Sequence, residues 1–289
     1  MQQLPRVLGV VGAGQMGAGI AQLAATRGLQ VVLYDKNKDA VDRGQLNIKR
    51  ALERSVRNER ISQADAESSL SRIAAVNDLA GLAPADFVVE AAPESEELKT
   101  SIFRHLAQVT QEHAVLASNT SSISITRIAA ATQRPSHVVG MHFMNPVPVM
   151  QLVELIRGIA TSDEVFAGAK ALAEHLGKVV CVSQDRPGFI VNRILMPMIN
   201  EAFYTLMEGV GTAEDIDRGM KSGTNQPMGP LALADFIGLD TCLAIMRVLY
   251  DGLGDSKYRP CPLLVQYVDA GWLGKKSYKG VYTYARPLN

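Results

Sequence analysis

VLGVVGAGQMGAGIAQLAATRGLQVVLYD, residues 7–35, decides the fold. The apolar run Val7–Val11 reads as a buried strand. Gly12, Gly14 and Gly17 follow in the pattern GxGxxG, opening an Ala- and Leu-rich helical segment that runs to Gly28. A second apolar run, Leu29–Tyr34, closes on Asp35. In such a unit the first glycine permits the tight turn, the second lets backbone approach a pyrophosphate, and the third lets the helix pack closely on the strand. The helix N-terminus offers unpaired N–H groups to that anion. The turn Gly12–Gly17, with Ala13, Gln15 and Met16 between the glycines, is therefore the expected phosphate cradle of a dinucleotide. GxGxxG alone is a weak signal; strand, glycines, helix, second strand and terminal acid together are a strong one.

Asp35 sits where a carboxylate accepts hydrogen bonds from both hydroxyls of an adenosine ribose. The same charge repels the extra phosphate of NADP, so NAD is the expected cofactor. The neighbouring Lys36 reads as a solvated surface lysine. A signal peptide is rejected for this stretch, because glycines interrupt the apolar run and a strand resumes straight after it.

The 289 residues suffice for two domains, and the 47% apolar content supports ordinary cores. A formal net charge of zero argues against bulk binding to nucleic acid or an anionic membrane. No run is long and apolar enough to span a bilayer. Cys181, Cys242 and Cys261 lack metal-ligand spacing and read as buried thiols of a reducing cytosol. With no targeting segment visible, the cytoplasm is the expected location. No metal cluster, GxSxG nucleophile or P-loop occurs.

Outward from the opening unit, strands are expected at Val7–Val11, Gln30–Tyr34, Phe87–Glu90, Ala114–Ala117, His137–Phe143, Gln151–Ile156 and Val179–Val182. Helices are expected over 15–28, 38–58, 63–72, 95–111, 122–132 and 163–176. Ser62 with Asp65, and Thr161 with Glu164, have the spacing of capping boxes. The alternation predicts a mostly parallel sheet with helices on both faces. Composition changes at Asp185-Arg186-Pro187-Gly188, giving an α/β domain over 1–186 and an all-α domain over 187–289. Phe189–Met207 is apolar on nearly every side, so this helix is expected to be buried all round. A hundred-residue domain hides such a helix more easily with a subunit interface, so a homodimer through the C-terminal domain is expected.

An alcohol-oxidising nicotinamide enzyme needs a base, and the chain has five histidines to supply it. His105, His113 and His175 lie in or beside polar helical patterns, and His137 precedes a strand. His142 lies near the end of an apolar strand, before Asn145-Pro146, and strand C-termini of open α/β sheets bind ligands. On position alone a satisfied core histidine is as good a reading. Glu154 stands inside the apolar run Met150–Ile156; a buried carboxylate there needs a partner. If the HFMNPVP turn folds the two strands together, Glu154 meets His142 and fixes its tautomer. The alternative is an edge-strand surface residue. In Ser118-Asn119-Thr120-Ser121-Ser122 one residue caps a helix, leaving hydroxyls at a strand end. Asn192 must find a partner early in an apolar helix. Arg43, Arg50, Arg54 and Arg57 form one stripe of helix 38–58, opposite Val41, Ile48, Leu52 and Val56. Spacing alone favours a solvated face over a phosphate-docking strip.

The stretches GVVGAGQMGAGIAQ, VVEAAPESEELK, ASNTSSISIT, GMHFMNPVPVMQLVE, DRPGFIVNRIL and GTNQPMGPLALADFIGLD together resemble the L-3-hydroxyacyl-CoA dehydrogenase family, and within it the bacterial 3-hydroxybutyryl-CoA branch. They span nearly the whole chain in the family's order. The resemblance implies a Rossmann-like doubly wound NAD-binding domain followed by a helical substrate-binding and dimerisation domain. It implies reversible oxidation of a short-chain (S)-3-hydroxyacyl-CoA by NAD, with His142 as base and Glu154 as its partner. By the same resemblance Ser121 and Asn192 hydrogen-bond the substrate oxygen, with Ser121 also near the nicotinamide. Glu94, Lys99, Asn145 and Lys276 match positions that contact NAD. The family's helical arm contacts coenzyme A, which favours Arg50, Arg54 and Arg57 as substrate ligands. Two positions depart from the pattern. Tyr278 stands where the C-terminal motif has glycine, with Val281 for its phenylalanine, and Asn58 falls where the arm has a lysine. A free hydroxy acid dehydrogenase and a non-catalytic NAD-binding protein are the competing readings. The latter has no use for His142, Glu154, Ser121 and Asn192 together.

Asp35 yields the first expectation. NADH should be turned over at least about ten-fold faster than NADPH at equal concentration, since one misplaced charge is worth a kcal/mol or more. Comparable rates with the two cofactors would overturn it.

Overall fold

A computed structural model describes residues 4–286. Two compact units divide the chain, Met1–Arg186 and Pro187–Asn289. The first unit is an alternation of β1 (Val7–Val11), α1 (Gln15–Thr26), β2 (Gln30–Tyr34), α2 (Lys38–Arg57), α3 (Gln63–Ser71), β3 (Ile73–Val76), β4 (Phe87–Glu90), α4 (Glu96–Val109), β5 (Val115–Ser118), α5 (Ile125–Ala130), β6 (Val138–Phe143), β7 (Leu152–Arg157), α6 (Asp163–His175) and β8 (Val179–Gln184).

One sheet contains all eight strands in the order β3-β2-β1-β4-β5-β6-β7-β8. The strands from β3 across to β6 run parallel, and β7 turns antiparallel to β6. Chain order grows in one direction from β1 and then in the other, which reverses the sheet between β1 and β4. Crossovers of one hand then place helices on opposite faces and open a crevice at that reversal. Central strands are apolar on both sides, as burial on two faces requires: Leu8, Val10, Leu33, Val88, Val89, Leu116, Ala117 and Val139 are all 0% exposed. The amphipathic α2 buries Val41, Ile48 and Leu52 and turns its arginines outward.

Several expectations need correction. Strand β3 was not expected: it is short, half-buried and carries two alanines, residues of low strand propensity. Thr161 and Glu164 form no capping box. Ser162 caps α6 by accepting from Val165 N at 3.2 Å. Thr161 Oγ1 instead donates to Val138 O at 2.6 Å and accepts from Gly158 N at 3.0 Å. The expected helix over 122–132 starts later, at Ile125, because Ser124 is its cap. Cys181 is half-buried, whereas Cys242 and Cys261 are buried.

The second unit comprises α7 (Val191–Met207), α8 (Ala213–Thr224), α9 (Pro230–Ile237), α10 (Leu239–Leu253) and α11 (Pro262–Asp269). Met196, Ile199 and Phe203 of α7 pack with Leu231, Leu239, Leu243, Met246 and Leu249 in its core. All-round burial of α7 is not found within one chain. Ile194 is 68% exposed and, with Pro197 and Tyr204, lines an open groove that also takes in Arg193 and Arg259. Two buried aspartates fasten the aromatic tail. Asp235 accepts from Val281 N, Tyr282 N and Tyr284 Oη, each at 2.9 Å. Asp217 accepts from Leu231 N at 2.8 Å, Ala232 N at 2.9 Å and Tyr282 Oη at 2.7 Å. Burial and these carboxylates raise both phenols above their usual range, so the two tyrosines remain donors. No helix among the described residues is long and apolar enough to cross a membrane.

Candidate active site

The glycine turn is built as its spacing requires. Gly12 has φ +99°, and a Cβ there would lie 2.6 Å from Ala91 O. At Gly17 a Cβ would lie 1.7 Å from Gly12 O, so α1 presses directly on the turn itself. Gly14 differs: a Cβ there would meet nothing within 4 Å. Gly14 is also the N-cap of α1, without a side-chain cap or an acidic residue in the first turn. The other α-helices of this unit are capped by Asn37, Ser62, Ser95, Ser124 and Ser162. An uncapped helix end with open space before it fits a pyrophosphate. Ala13 is buried, while Gln15 and Met16 begin the helix at the surface of the turn. Asp35 closes β2 and braces this cradle. Its Oδ2 accepts from Ala13 N at 2.9 Å and its Oδ1 from Asn37 N at 3.0 Å.

Beyond the reversal, two loops leave β4 and β5 and are bound together through carboxylates. Glu94 Oε1 accepts from Thr120 Oγ1 at 2.6 Å, Ser121 N at 2.9 Å, Ser121 Oγ at 3.0 Å and Ser122 Oγ at 3.1 Å. Burial pushes the Glu94 carboxyl up, but Lys99 and these donors outweigh it and hold the group below its usual range. Lys99 lies behind, 1% exposed. Its ammonium is 2.6 Å from Glu90 Oε1, 3.1 Å from Ala92 O and 3.5 Å from Glu94 Oε2.

His142 and Glu154 face each other directly in the antiparallel register of β6 and β7. Nδ1 of His142 lies 2.8 Å from Glu154 Oε2, with the histidine 7% and the glutamate 0% exposed. An ionised carboxylate only accepts, so beside it the Nδ1 proton of a neutral imidazole points at Glu154. The turn after β6 rests on α1. Asn145 Oδ1 accepts from Gln15 Nε2 at 3.1 Å, and the buried Val147 packs against Gly19.

The structure thus groups Gly12–Gly17, Asp35, Glu94, Lys99, Ser121, His142, Asn145 and Glu154 at strand ends of the first unit. Arg50, Arg54 and Arg57 are exposed on α2. Asn192 and Lys276 belong to the second unit. Asn192 is 8% exposed near the start of α7, and Lys276 is ion-paired with Asp240. Tyr278, the departure from the family glycine, has φ +60°, a conformation glycine adopts without strain. Sequence reading missed two residues of the site. Glu90 looked like the end of an apolar strand. Lys178, 8% exposed, donates to Val147 O and Met150 O, each at 2.6 Å, and so clamps the turn that carries Asn145. The only local signal for Lys178 was a lysine entering an apolar strand.

A doubly wound sheet with an uncapped glycine turn, an acid closing β2 and a carboxylate-paired histidine beyond the reversal defines a dinucleotide-dependent oxidoreductase. The family model of the 3-hydroxyacyl-CoA dehydrogenase NAD binding domain matches residues 7–186, and that of the 3-hydroxyacyl-CoA dehydrogenase C-terminal domain matches residues 188–284. The chain is similar to a 3-hydroxybutyryl-CoA dehydrogenase of Bradyrhizobium diazoefficiens, 57% identical over all of this chain and 99% of that protein. It is 55% identical to a probable 3-hydroxybutyryl-CoA dehydrogenase of Bacillus subtilis, over 95% of this chain and 96% of that one. Among solved structures, the (S)-3-hydroxybutyryl-CoA dehydrogenase of Ralstonia eutropha superposes with a TM-score of 0.95 at 50% identity, covering 97% of this chain and 99% of that one. The chain belongs to the 3-hydroxyacyl-CoA dehydrogenase family and is an NAD-dependent oxidoreductase of that class.

The contrast between two glycines can be measured. Gly17→Ala should lower the free energy of unfolding by about 2–4 kcal/mol, because its methyl meets backbone. Gly14→Ala should stay within about 0.5 kcal/mol of the parent in denaturant unfolding. Its methyl would nonetheless fill the phosphate space and weaken NAD binding about ten-fold or more. Unaltered NAD affinity in Gly14→Ala would refute this placement of the cradle.

Proposed function

We propose that the chain oxidises a short-chain (S)-3-hydroxyacyl-CoA, specifically 3-hydroxybutyryl-CoA, to the 3-ketoacyl-CoA, and catalyses the reverse reduction. The observation that carries the reading is the buried pair of His142 Nδ1 and Glu154 Oε2 at 2.8 Å, at the end of a parallel strand beside the crevice. The names of the relatives supply the acyl length.

NAD, when bound, supplies the nicotinamide that takes hydride from C3. The residues of the chain handle the proton and the oxygen. His142 Nε2 removes the hydroxyl proton, and the Glu154 carboxylate stabilises the imidazolium that results. Ser121 and Asn192 are assigned hydrogen bonds to the oxygen that gains carbonyl character, with Ser121 also against the nicotinamide. Asp35 takes the adenosine ribose. Glu94, Lys99, Asn145 and Lys276 complete the cofactor contacts, Lys99 by holding the Glu94 charge from behind. Arg50, Arg54 and Arg57 meet the phosphates of coenzyme A as one exposed cationic stripe.

General acid–base assistance is worth about 10²–10⁴-fold, so His142→Gln should lower kcat by that factor while NADH still binds. The parent protein should oxidise NADH with acetoacetyl-CoA and not with free acetoacetate. Near-full turnover by His142→Gln would remove the mechanism, and equal rates with the free acid would favour a hydroxy acid dehydrogenase.

We further infer a homodimer formed through the C-terminal unit and a cytoplasmic location. Ile194, 68% exposed on a largely apolar α7, supports the first. Light scattering at micromolar concentration should give twice the 31.2 kDa chain mass; a monomer there would refute it.

A further inference from the structure

Glu90 ends β4 with 0% exposure, where an ionised carboxylate is costly unless it is paired and hydrogen-bonded. Its Oε1 accepts from Lys99 Nζ at 2.6 Å and Ala92 N at 2.7 Å, and its Oε2 from Ser118 Oγ at 2.7 Å. Ser118 Oγ itself accepts from Thr120 N at 3.3 Å, so its own proton is directed at Glu90. Every polar neighbour offers a hydrogen, which is the environment of an ionised carboxylate. Glu94 is ionised as well, held so by Lys99 and four hydrogen bonds. One ammonium therefore serves two carboxylates, and the cluster carries a net charge of −1. A single Glu–Lys pair would join these strand ends equally well with no net charge, so the surplus needs a separate account.

Its position supplies one. The strands β4 and β5 lie across the reversal from Asp35. A dinucleotide laid over the reversal with its adenosine ribose at Asp35 brings its nicotinamide half over the ends of β4, β5 and β6. The oxidised ring is a cation and the reduced ring is neutral. Fixed negative charge in a partly desolvated site therefore discriminates between the two forms.

We propose that Glu90 is a specificity-determining residue for the redox state of the cofactor: with Glu94 and Lys99 it forms a net negative cluster that favours NAD+ over NADH. This rests on the dehydrogenase reading above, which places the nicotinamide at these strand ends. The consequence is directional. The cluster strengthens the hold on the oxidised cofactor and eases departure of the reduced one when the hydroxyacyl thioester is the substrate.

The test is a titration of the full-length protein with NAD+ and with NADH separately, by calorimetry or quenching of protein fluorescence. Its readout is the ratio of the two dissociation constants. Glu90→Gln makes the cluster neutral, and Kd(NAD+)/Kd(NADH) should rise by about three- to ten-fold, the scale of one unit charge at a partly screened site. Glu90→Asp keeps the charge and should keep the parent ratio, even if both affinities fall through damage to the packing. Should Glu90→Gln not fold, Glu94→Gln removes the same charge from a side chain that is 39% exposed, and the same rise is expected. An unchanged ratio in the neutralised variant, or an equal rise in Glu90→Asp, would overturn the proposal. Failure of the underlying reading would register separately, as parent protein that does not oxidise NADH with acetoacetyl-CoA.

Discussion

The closest approach in the cofactor site is between Gly17 and the carbonyl of Gly12, where no side chain can intervene. That contact lets α1 leave the end of β1 at once and lie flat over the turn. The ends of β2 and β6 are then referred to α1 and its turn. Its first turn points into the crevice at the strand-order reversal, Gln15 reaches Asn145, and Gly19 receives Val147. Asp35, one strand away, holds Ala13 N and so fixes the turn from the other side. A methyl group at residue 17 would shift not one loop but the reference surface for three.

Polar groups beyond the reversal follow a different logic. All but Glu94 are buried, and burial forces them to be satisfied by one another. Glu90, Lys99, Ser118, Glu94 and Thr120 join two loops that are distant in sequence, and His142 with Glu154 joins two adjacent strands. In the second pair, register does the positioning. A slip of one residue between β6 and β7 would send Glu154 to the opposite face of the sheet and strand the imidazole.

Local pattern carried the first half of the site into view. The glycines, the helix and Asp35 are contiguous, and each has one steric or electrostatic reason for its place. The His142–Glu154 pair was legible only as a condition: a carboxylate inside an apolar run meets the histidine if the proline-containing turn folds the two strands together, and the register of β6 and β7 places them opposite each other. What escaped had no local signature. Glu90 closes an apolar run as many surface acids do, and only the approach of α4 and β5 makes it buried. Lys178 serves carbonyls about thirty residues away in the chain. The capping error at Thr161 was an offset of one residue between two hydroxyls, decided by a tertiary bond to Val138 O that the sequence does not encode locally. Strand β3 was hidden by alanines whose strand conformation is imposed by pairing with β2.

The missing side-chain cap on α1 reaches beyond recognition. A helix end without a side-chain cap is completed by an anionic ligand, so binding there finishes a piece of secondary structure as well as a complex. Any ligand that binds only the folded chain stabilises it by RT times the logarithm of one plus the ratio of free ligand to its dissociation constant. The folding stability of this protein is therefore tied to the concentration of its dinucleotide.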